Sequence, residues 1–255
     1  MNSLISQLVS AFFLCTLCAW QPVWAEDAGE GDAFARSILA RADEIRFPAE
    51  GFQVDVFIES LASDDYVEKR KYRVLSKGNE NTVVMILEPA SERGQIMLMK
   101  DRDLWVFMPN VSQPIRLGLA QRLTGEVANG DLARANFSGD YNPRLLRTEN
   151  VGGHAHYVLE LNAVDRGVTY RRVLLWVNKA NYQPLKAEFY SLSNRLMKTC
   201  SYEGYETMAG QRRPTRLVME DALRAGERSF LDYQNMKLRD LPDKVFTKEY
   251  LKKLQ

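Results

Sequence analysis

The 255-residue sequence predicts a mainly β protein of the α+β class. The expected form is a curved, incompletely closed antiparallel β-barrel of about 10–12 strands with helical material in its hollow. Three observations predict it. Short runs that alternate apolar and polar residues recur, with turn signals between them, almost to the C-terminus. One amphipathic helix precedes them, and one irregular stretch interrupts them. Sheets with that many strands curl rather than stay flat.

The chain begins with an export signal. Leu4–Trp20 is mostly apolar, densest over Ala11–Ala19, and Val23-Trp24-Ala25 places small residues where a signal peptidase reads. Cleavage is expected after Ala25, which exports residues 26–255 as a single domain. No Lys or Arg precedes the apolar run, so a retained anchor is the alternative. Leu14 and Leu17 stand before Cys15 and Cys18, where a lipoprotein signal needs a small residue, so lipidation is not expected. The CxxC spacing of those cysteines carries no redox or zinc meaning inside a removed segment.

Charge excludes some partners. The 34 basic residues are balanced by 33 acidic ones, which leaves no overall excess to attract nucleic acid or an anionic membrane surface. Beyond the signal segment only Cys200 remains, in the strand-like run Arg195–Tyr202, where a buried small apolar role is expected.

After an acidic leader, Ala33–Phe47 predicts a helix. Phe34, Ile38, Ala42 and Ile45 form one apolar stripe, Asp32 is a fair N-cap, and Pro48 stops the helix soon after. Phe52, Val54, Val56 and Ile58 then alternate with polar residues as a strand with one buried face. Val67–Ser76 is a charged partner strand, Lys77–Asn81 is a turn, and Thr82–Leu87 is apolar on both sides. Gly94–Leu117 reads as two strands, Gln95–Met99 and Leu104–Met108, around the turn Lys100–Asp103, followed by the short strand Ile115–Leu117. Pro109, with no N–H for a ladder, closes the second strand. Both faces of this hairpin are apolar, so it needs apolar company on both sides. One reading places a lipid cavity on one side; the other buries the hairpin between two layers of one core.

From Gly118 to Pro143 no period of two survives, apart from a turn or two of helix expected over Asp131–Ala135 and capped by Asp131. A strandless insert of this length suits a flap over one mouth of the sheet. Strands resume at Leu145–Glu149 and His154–Leu161, around the turn Asn150–Gly153. Tyr170–Val177 and Leu185–Tyr190 follow, around Asn178–Asn181. Leu196–Tyr202, Thr215–Glu220 and Glu227–Leu238 complete the set, and Thr247–Leu254 ends the chain as a short helix or tail.

Catalytic groupings are scarce. His154 and His156 share a strand face, yet no Cys or other His extends them into a metal set, so solvated strand histidines are expected and no metal is assigned. Phe137-Ser138-Gly139 lacks the context of a nucleophile elbow, and Gly125–Gly130 lacks the Lys of a phosphate loop. A carboxylate pair for hydrolysis has no particular candidate. No enzyme activity and no cofactor are expected. Met85, Met97, Met99 and Met108 cluster in the central strands, where flexible side chains adapt to variable apolar partners.

The runs Arg93-Gly94, Met97-Leu98-Met99, Asp103-Leu104-Trp105-Val106-Phe107-Met108-Pro109 and Arg116-Leu117 stand in one order. Gln121-Arg122-Leu123-Thr124-Gly125, Asn129–Leu132, Asn136–Tyr141, Leu175-Trp176-Val177-Asn178 and Gln183-Pro184-Leu185 follow them. Together they resemble the outer-membrane lipoprotein-sorting (LolA-like) family of Gram-negative bacteria, over roughly Phe34 to Leu238. The resemblance implies an unclosed antiparallel barrel whose concave side is plugged by helices. It implies a periplasmic carrier, or chaperone, of lipoprotein acyl chains or another lipid toward the outer membrane. Its partners would be an inner-membrane exporter and an outer-membrane acceptor. The expected lining of the cavity is Phe52, Val54, Val56, Ile58, Val84, Ile86, Leu98, Leu104, Val106, Met108 and Trp176. The alternative is a non-carrier structural or adaptor subunit of an envelope lipid-export complex.

Overall fold

The computed structural model describes residues 28–62, 67–78, 80–134 and 136–251. The expected signal segment and its cleavage site lie outside the described residues, as do Asn79, Ala135 and the last residues of the predicted C-terminal helix.

The chain opens with α1 (Ala28–Arg46), then runs through β1 (Phe52–Leu61), β2 (Val67–Lys77), β3 (Asn81–Glu88), β4 (Ile96–Lys100), β5 (Asp103–Phe107) and β6 (Ile115–Leu117). A crossing segment follows, with β7 (Arg122–Thr124), β8 (Val127–Ala128), α2 (Asn129–Ala133) and α3 (Phe137–Asp140). The second meander is β9 (Tyr141–Val151), β10 (His154–Ala163), β11 (Arg172–Asn178), β12 (Pro184–Tyr190), β13 (Leu196–Met208), β14 (Gln211–Asp221) and β15 (Arg228–Leu238). A 3₁₀ turn at Asp243–Phe246 and α4 (Lys248–Leu251) end it.

Thirteen strands form one sheet in the order β6-β5-β4-β3-β2-β1-β15-β14-β13-β12-β11-β10-β9. Every pairing is antiparallel, and β1 pairs with β15, so the first and last strands lie in the middle. The edges β6 and β9 do not pair with each other, so the barrel stays open. It is nonetheless curled. Met97 and Leu104 near one edge share a single core with Leu159 and Val173 near the other, which a flat sheet would forbid. Arg102, in the β4–β5 turn, spans the seam: its Nε donates to Asp140 at 2.9 Å and Nη1 to Asp165 at 2.5 Å.

Several elements differ from the sequence expectation. The sheet has thirteen strands rather than ten to twelve, each at one of the runs the sequence marks, and β13 and β14 continue past those runs into a polar stretch. Residues Glu203–Met208 alternate too weakly to be read as strand, yet they pair with Gln211–Arg216 around the Ala209-Gly210 turn. The crossing segment holds a two-stranded ribbon, β7–β8, where no strand was expected. The helix α1 starts at Ala28, so Asp32 lies inside it, where a carboxylate suits the positive helix end as well as a cap would. Its buried stripe is Ala35, Ile38, Leu39 and Ala42, while Phe34 stays exposed and meets Tyr157 edge-on. α2 begins at Asn129 with Ala128 at its cap, and Asp131 accepts the Ala128 N–H at 2.8 Å instead of capping the helix itself. β9 contains Pro143, which an edge strand tolerates.

The central hairpin has company on both sides. Cross-strand neighbours Val54, Val74, Val84, Met97 and Val106 form one row on the concave face. The offset row Leu75, Val83 and Leu98 faces a second cluster made by Leu241, Val245, Phe246 and Leu251. The C-terminal segment therefore covers the outer face, and the hairpin lies between two layers. No helix among the described residues is long and apolar enough to cross a membrane.

Candidate functional site

The concave face of the sheet is the candidate site, and its cover is built from α1 and the crossing segment. On the apolar side, Ile38, Leu39 and Ala42 of α1 join Leu132 and Ala133 of α2 in the main core, against Phe52, Val54, Val56, Ile58 and the strands opposite. The cover fills the hollow. Beneath α2, between Phe47, Val56, Val74 and Tyr233, the remaining void is about 10 Å³. A second void, between Asp131, Phe137, Cys200 and Tyr202, is about 20 Å³. Each holds about one water, far below the roughly 300 Å³ of a small-molecule pocket. The vacant apolar hollow that the sequence suggested is therefore occupied by the chain's own helices.

What fastens this cover is polar. Asp43 on α1 accepts Arg46 Nη1 at 2.8 Å and both the N–H and the Oγ–H of Ser138, each at 2.7 Å. Asp131 accepts the Tyr170 hydroxyl at 2.6 Å. Arg134 donates to Asp140 at 2.5 Å and to the Asp101 carbonyl, and Asp140 also receives Arg102. Lys198 donates to the Glu126 carbonyl, and the Glu126 N–H donates to Ser229 Oγ at 2.9 Å. Asp43, Arg46, Arg134, Asp140, Tyr170, Glu126, Lys198 and Ser229 are buried, Asp131 and Arg102 are half-buried, and Ser138 is exposed. Burial pushes the carboxyls of Asp43 and Asp131 above their ordinary value, against the pull of Arg46 and Lys198 respectively. It also pushes up the Tyr170 hydroxyl and the Cys200 thiol. Cys200 is free and buried, as its sequence context predicted.

The seat of the β7–β8 ribbon explains one glycine. Gly125 has φ +47°, and a Cβ there would come within 2.2 Å of Ser60 Oγ and 2.4 Å of Ser229 Oγ. Those two hydroxyls are 2.8 Å apart and form the floor on which the ribbon rests.

Of the predicted lining, Phe52, Val54, Val56, Ile58, Val84, Ile86, Leu104 and Val106 meet on the concave side. Three others do not join them. Leu98 points the other way, into the C-terminal cluster. Trp176 is also on the outer face, with Lys186 Nζ 3.9 Å from its ring centroid, while its neighbours Leu175 and Val177 point inward. Met108 follows β5 and lines a groove of about 760 Å³ between the loop to β6 and α4. Of the four methionines of the central strands, Met97 and Met99 point inward. A hairpin apolar on both faces gives alternation nothing to choose between, so a one-residue shift exchanges the two sides. The latch groups Asp43, Ser138, Arg134 and Asp140 carried no sequence signal beyond the i, i+3 spacing of Asp43 and Arg46.

The remaining polar groupings are structural. His154 is exposed, but His156 is buried, contrary to the expected solvated pair, with Nδ1 2.9 Å from the His154 carbonyl oxygen. Glu126, Asp221 and Glu227 bring carboxylate oxygens within 4.8 Å of one another, and the Arg224 guanidinium lies among them, 2.9–3.6 Å from each.

Comparison with known proteins agrees with this architecture. A family model described as "Uncharacterized protein" matches residues 78–253, while no curated protein matches the chain. A solved LolA superfamily protein from Nitrosomonas europaea is 65% identical, with a TM-score of 0.82, over 85% of this chain and 98% of that one. A DUF1329 family protein from Desulfovibrio piger is 22% identical, with a TM-score of 0.75, over 87% and 99% of the two chains. A structure from Vibrio parahaemolyticus, described as an outer membrane lipoprotein-sorting protein domain, is 20% identical at the same TM-score and coverage. The last two share the fold. The first, at that identity over nearly its whole length, shows that the chain belongs to the LolA superfamily.

Proposed function

We propose that the protein is a non-enzymatic carrier of lipid acyl chains, from lipoproteins or another lipid. It would be exported as residues 26–255 and work in the periplasm between an inner-membrane exporter and an outer-membrane acceptor. The observation that carries this reading is the mismatch between the cover and its fastening. An apolar concave face is filled by helices that pack on it through Ile38, Leu39, Ala42 and Leu132 and are fastened by polar groups, most of them buried. When the cover lifts, Asp43, Asp131, Arg134 and Asp140 regain water, which recovers much of the cost of burying them. The methylenes of a guest, at about 0.8 kcal/mol each, then replace the contacts given up by Ile38, Leu39 and Leu132. Binding so arranged is an exchange of one plug for another and needs no catalytic group.

A second reading follows from the filled interior: a structural or adaptor subunit of an envelope lipid-export complex, in which the concave face is plain core. The two separate on lipid content. Protein purified from the envelope and extracted into organic solvent is expected to release acyl lipid detectable by mass spectrometry. Val106→Glu, at a half-buried position on the rim of the main core, should remove that lipid while leaving the far-ultraviolet circular dichroism unchanged. Parent protein free of lipid would support the adaptor reading.

A further inference from the structure

Strand register divides the turns of the sheet between two ends. At one end lie the loops β5–β6, β10–β11, β12–β13 and β14–β15, since Phe107 pairs with Ile96, Asn162 with Arg172, Tyr190 with Leu196, and Glu220 with Arg228. Most of the exposed large apolar side chains among the described residues belong to this end. Leu192 is 83% exposed at the tip of β12–β13 and Leu223 52% exposed at the tip of β14–β15; Val164, Met197, Val111 and Ile115 are also exposed. The opposite end, built on the turns at Lys100–Asp103, Gly152-Gly153, Asn178–Gln183 and Ala209-Gly210, exposes Leu238, with Phe34 of α1 beside Tyr157 near the third of these turns.

Leu192, Met197 and Leu223 stand around two adjoining clefts of about 280 and 330 Å³ that share Ala120, Thr169, Tyr170 and Met197. Arg166 and Arg171 line the first cleft, and Arg195 follows Leu192 in the same loop. All three arginines are exposed. None is assigned to the ion pairs of the described residues, whereas Arg224 nearby is committed to three carboxylates.

We propose that this end of the sheet docks onto an anionic lipid bilayer, with Leu192 and Leu223 inserted at the headgroup boundary and Arg166, Arg171 and Arg195 on lipid phosphates. The form of the patch selects a bilayer over a protein. Its apolar side chains project singly from separate loops with open clefts between them, whereas a protein partner requires a continuous, closely fitting core. Fluid lipid closes around each tip on its own, and cations beside apolar tips suit an anionic surface. The proposal stands apart from the carrier reading, because it requires no guest in the hollow.

Co-sedimentation tests it, using the chain from Glu26 onward, which contains every described element. The vesicles are equal parts phosphatidylglycerol and phosphatidylcholine, or phosphatidylcholine alone. The parent should sediment with the anionic vesicles and weakly with the neutral ones. The double variant Leu192→Ser/Leu223→Ser, both at exposed loop tips, should lose at least about tenfold in apparent affinity. Arg166→Gln/Arg171→Gln/Arg195→Gln should bind both vesicle types equally, and Leu238→Ser at the opposite end should match the parent. Parent protein that stays in the supernatant, or a double variant that binds like the parent, overturns the proposal. So does a self-association of the chain, measured by analytical ultracentrifugation, that the double variant abolishes while vesicle binding is absent.

Discussion

The two faces of the β4–β5 hairpin are covered by different kinds of structure. On the outer face, Leu241, Val245, Phe246 and Leu251 lie on Leu75, Val83, Ile96 and Leu98 in an apolar cluster. On the inner face, α1 and the crossing segment cover an equally apolar surface but are pinned by Asp43, Asp131, Arg134 and Asp140. Both covers bury apolar side chains, Ile38, Leu39 and Leu132 on the inner side among them, but they differ in what opening recovers. Lifting an apolar cover exposes oil to water and gains nothing in return. Lifting a polar latch rehydrates charges whose burial was costly. Under the carrier proposal the outer cover is architecture and the inner one is the part that moves.

The largest expected effect sharpens that contrast from the outer side. Phe246→Ala empties a fully packed position and should lower global stability in urea by about 3–5 kcal/mol, with sheet and cover lost in one transition. A smaller effect is expected on the inner side. Gly125→Ala drives a methyl group into Ser60 and Ser229 and should cost the closed state about 1–3 kcal/mol. That loss should appear as faster labelling of the buried Cys200 thiol, with global unfolding shifted less than in Phe246→Ala. Equal shifts in both variants would erase the distinction.

The smallest effect is in pH, and its sign differs between the faces. Burial raises the carboxyls of Asp43 and Asp131 above 3.8, so each holds its proton more tightly when the cover is closed. Their contribution to closure is complete below 3.8 and is lost as pH rises through the raised values. Asp55, hydrogen-bonded by Arg73 and Asn235, is lowered instead. Its contribution is present above 3.8 and lost as pH falls through the lowered value. Acidification should thus protect amides of α1 and α2 from hydrogen exchange, after correction for intrinsic rates, and weaken protection along β1 and β2. Asp131→Asn should flatten the first trend and leave the second.

Sequence made the sheet legible because most strands keep one apolar and one polar face. Phe52, Val54, Val56 and Ile58 landed inward as a set for that reason. It failed at β4, where Leu98 and Met97 are equally apolar and only the neighbouring strands decide which turns inward. Trp176 was misplaced similarly: large aromatic area suggests an interior, but Lys186 can cover a ring on the outside through its own stem. The latch was nearly invisible. Asp43 and Ser138 are 95 positions apart, and nothing in either local context foretells a contact that exists only once the insert folds back across the hollow.

The central claim, that the inner cover moves without the sheet, is most directly tested by native-state hydrogen exchange at increasing, sub-denaturing urea. The account predicts that amides of α1 and α2 exchange through an opening whose free energy barely changes with urea and lies well below that of β1, β11 and β15. Amides of the cover that exchange only with the same urea-dependent free energy as those strands would mean a fixed plug, and would contradict it.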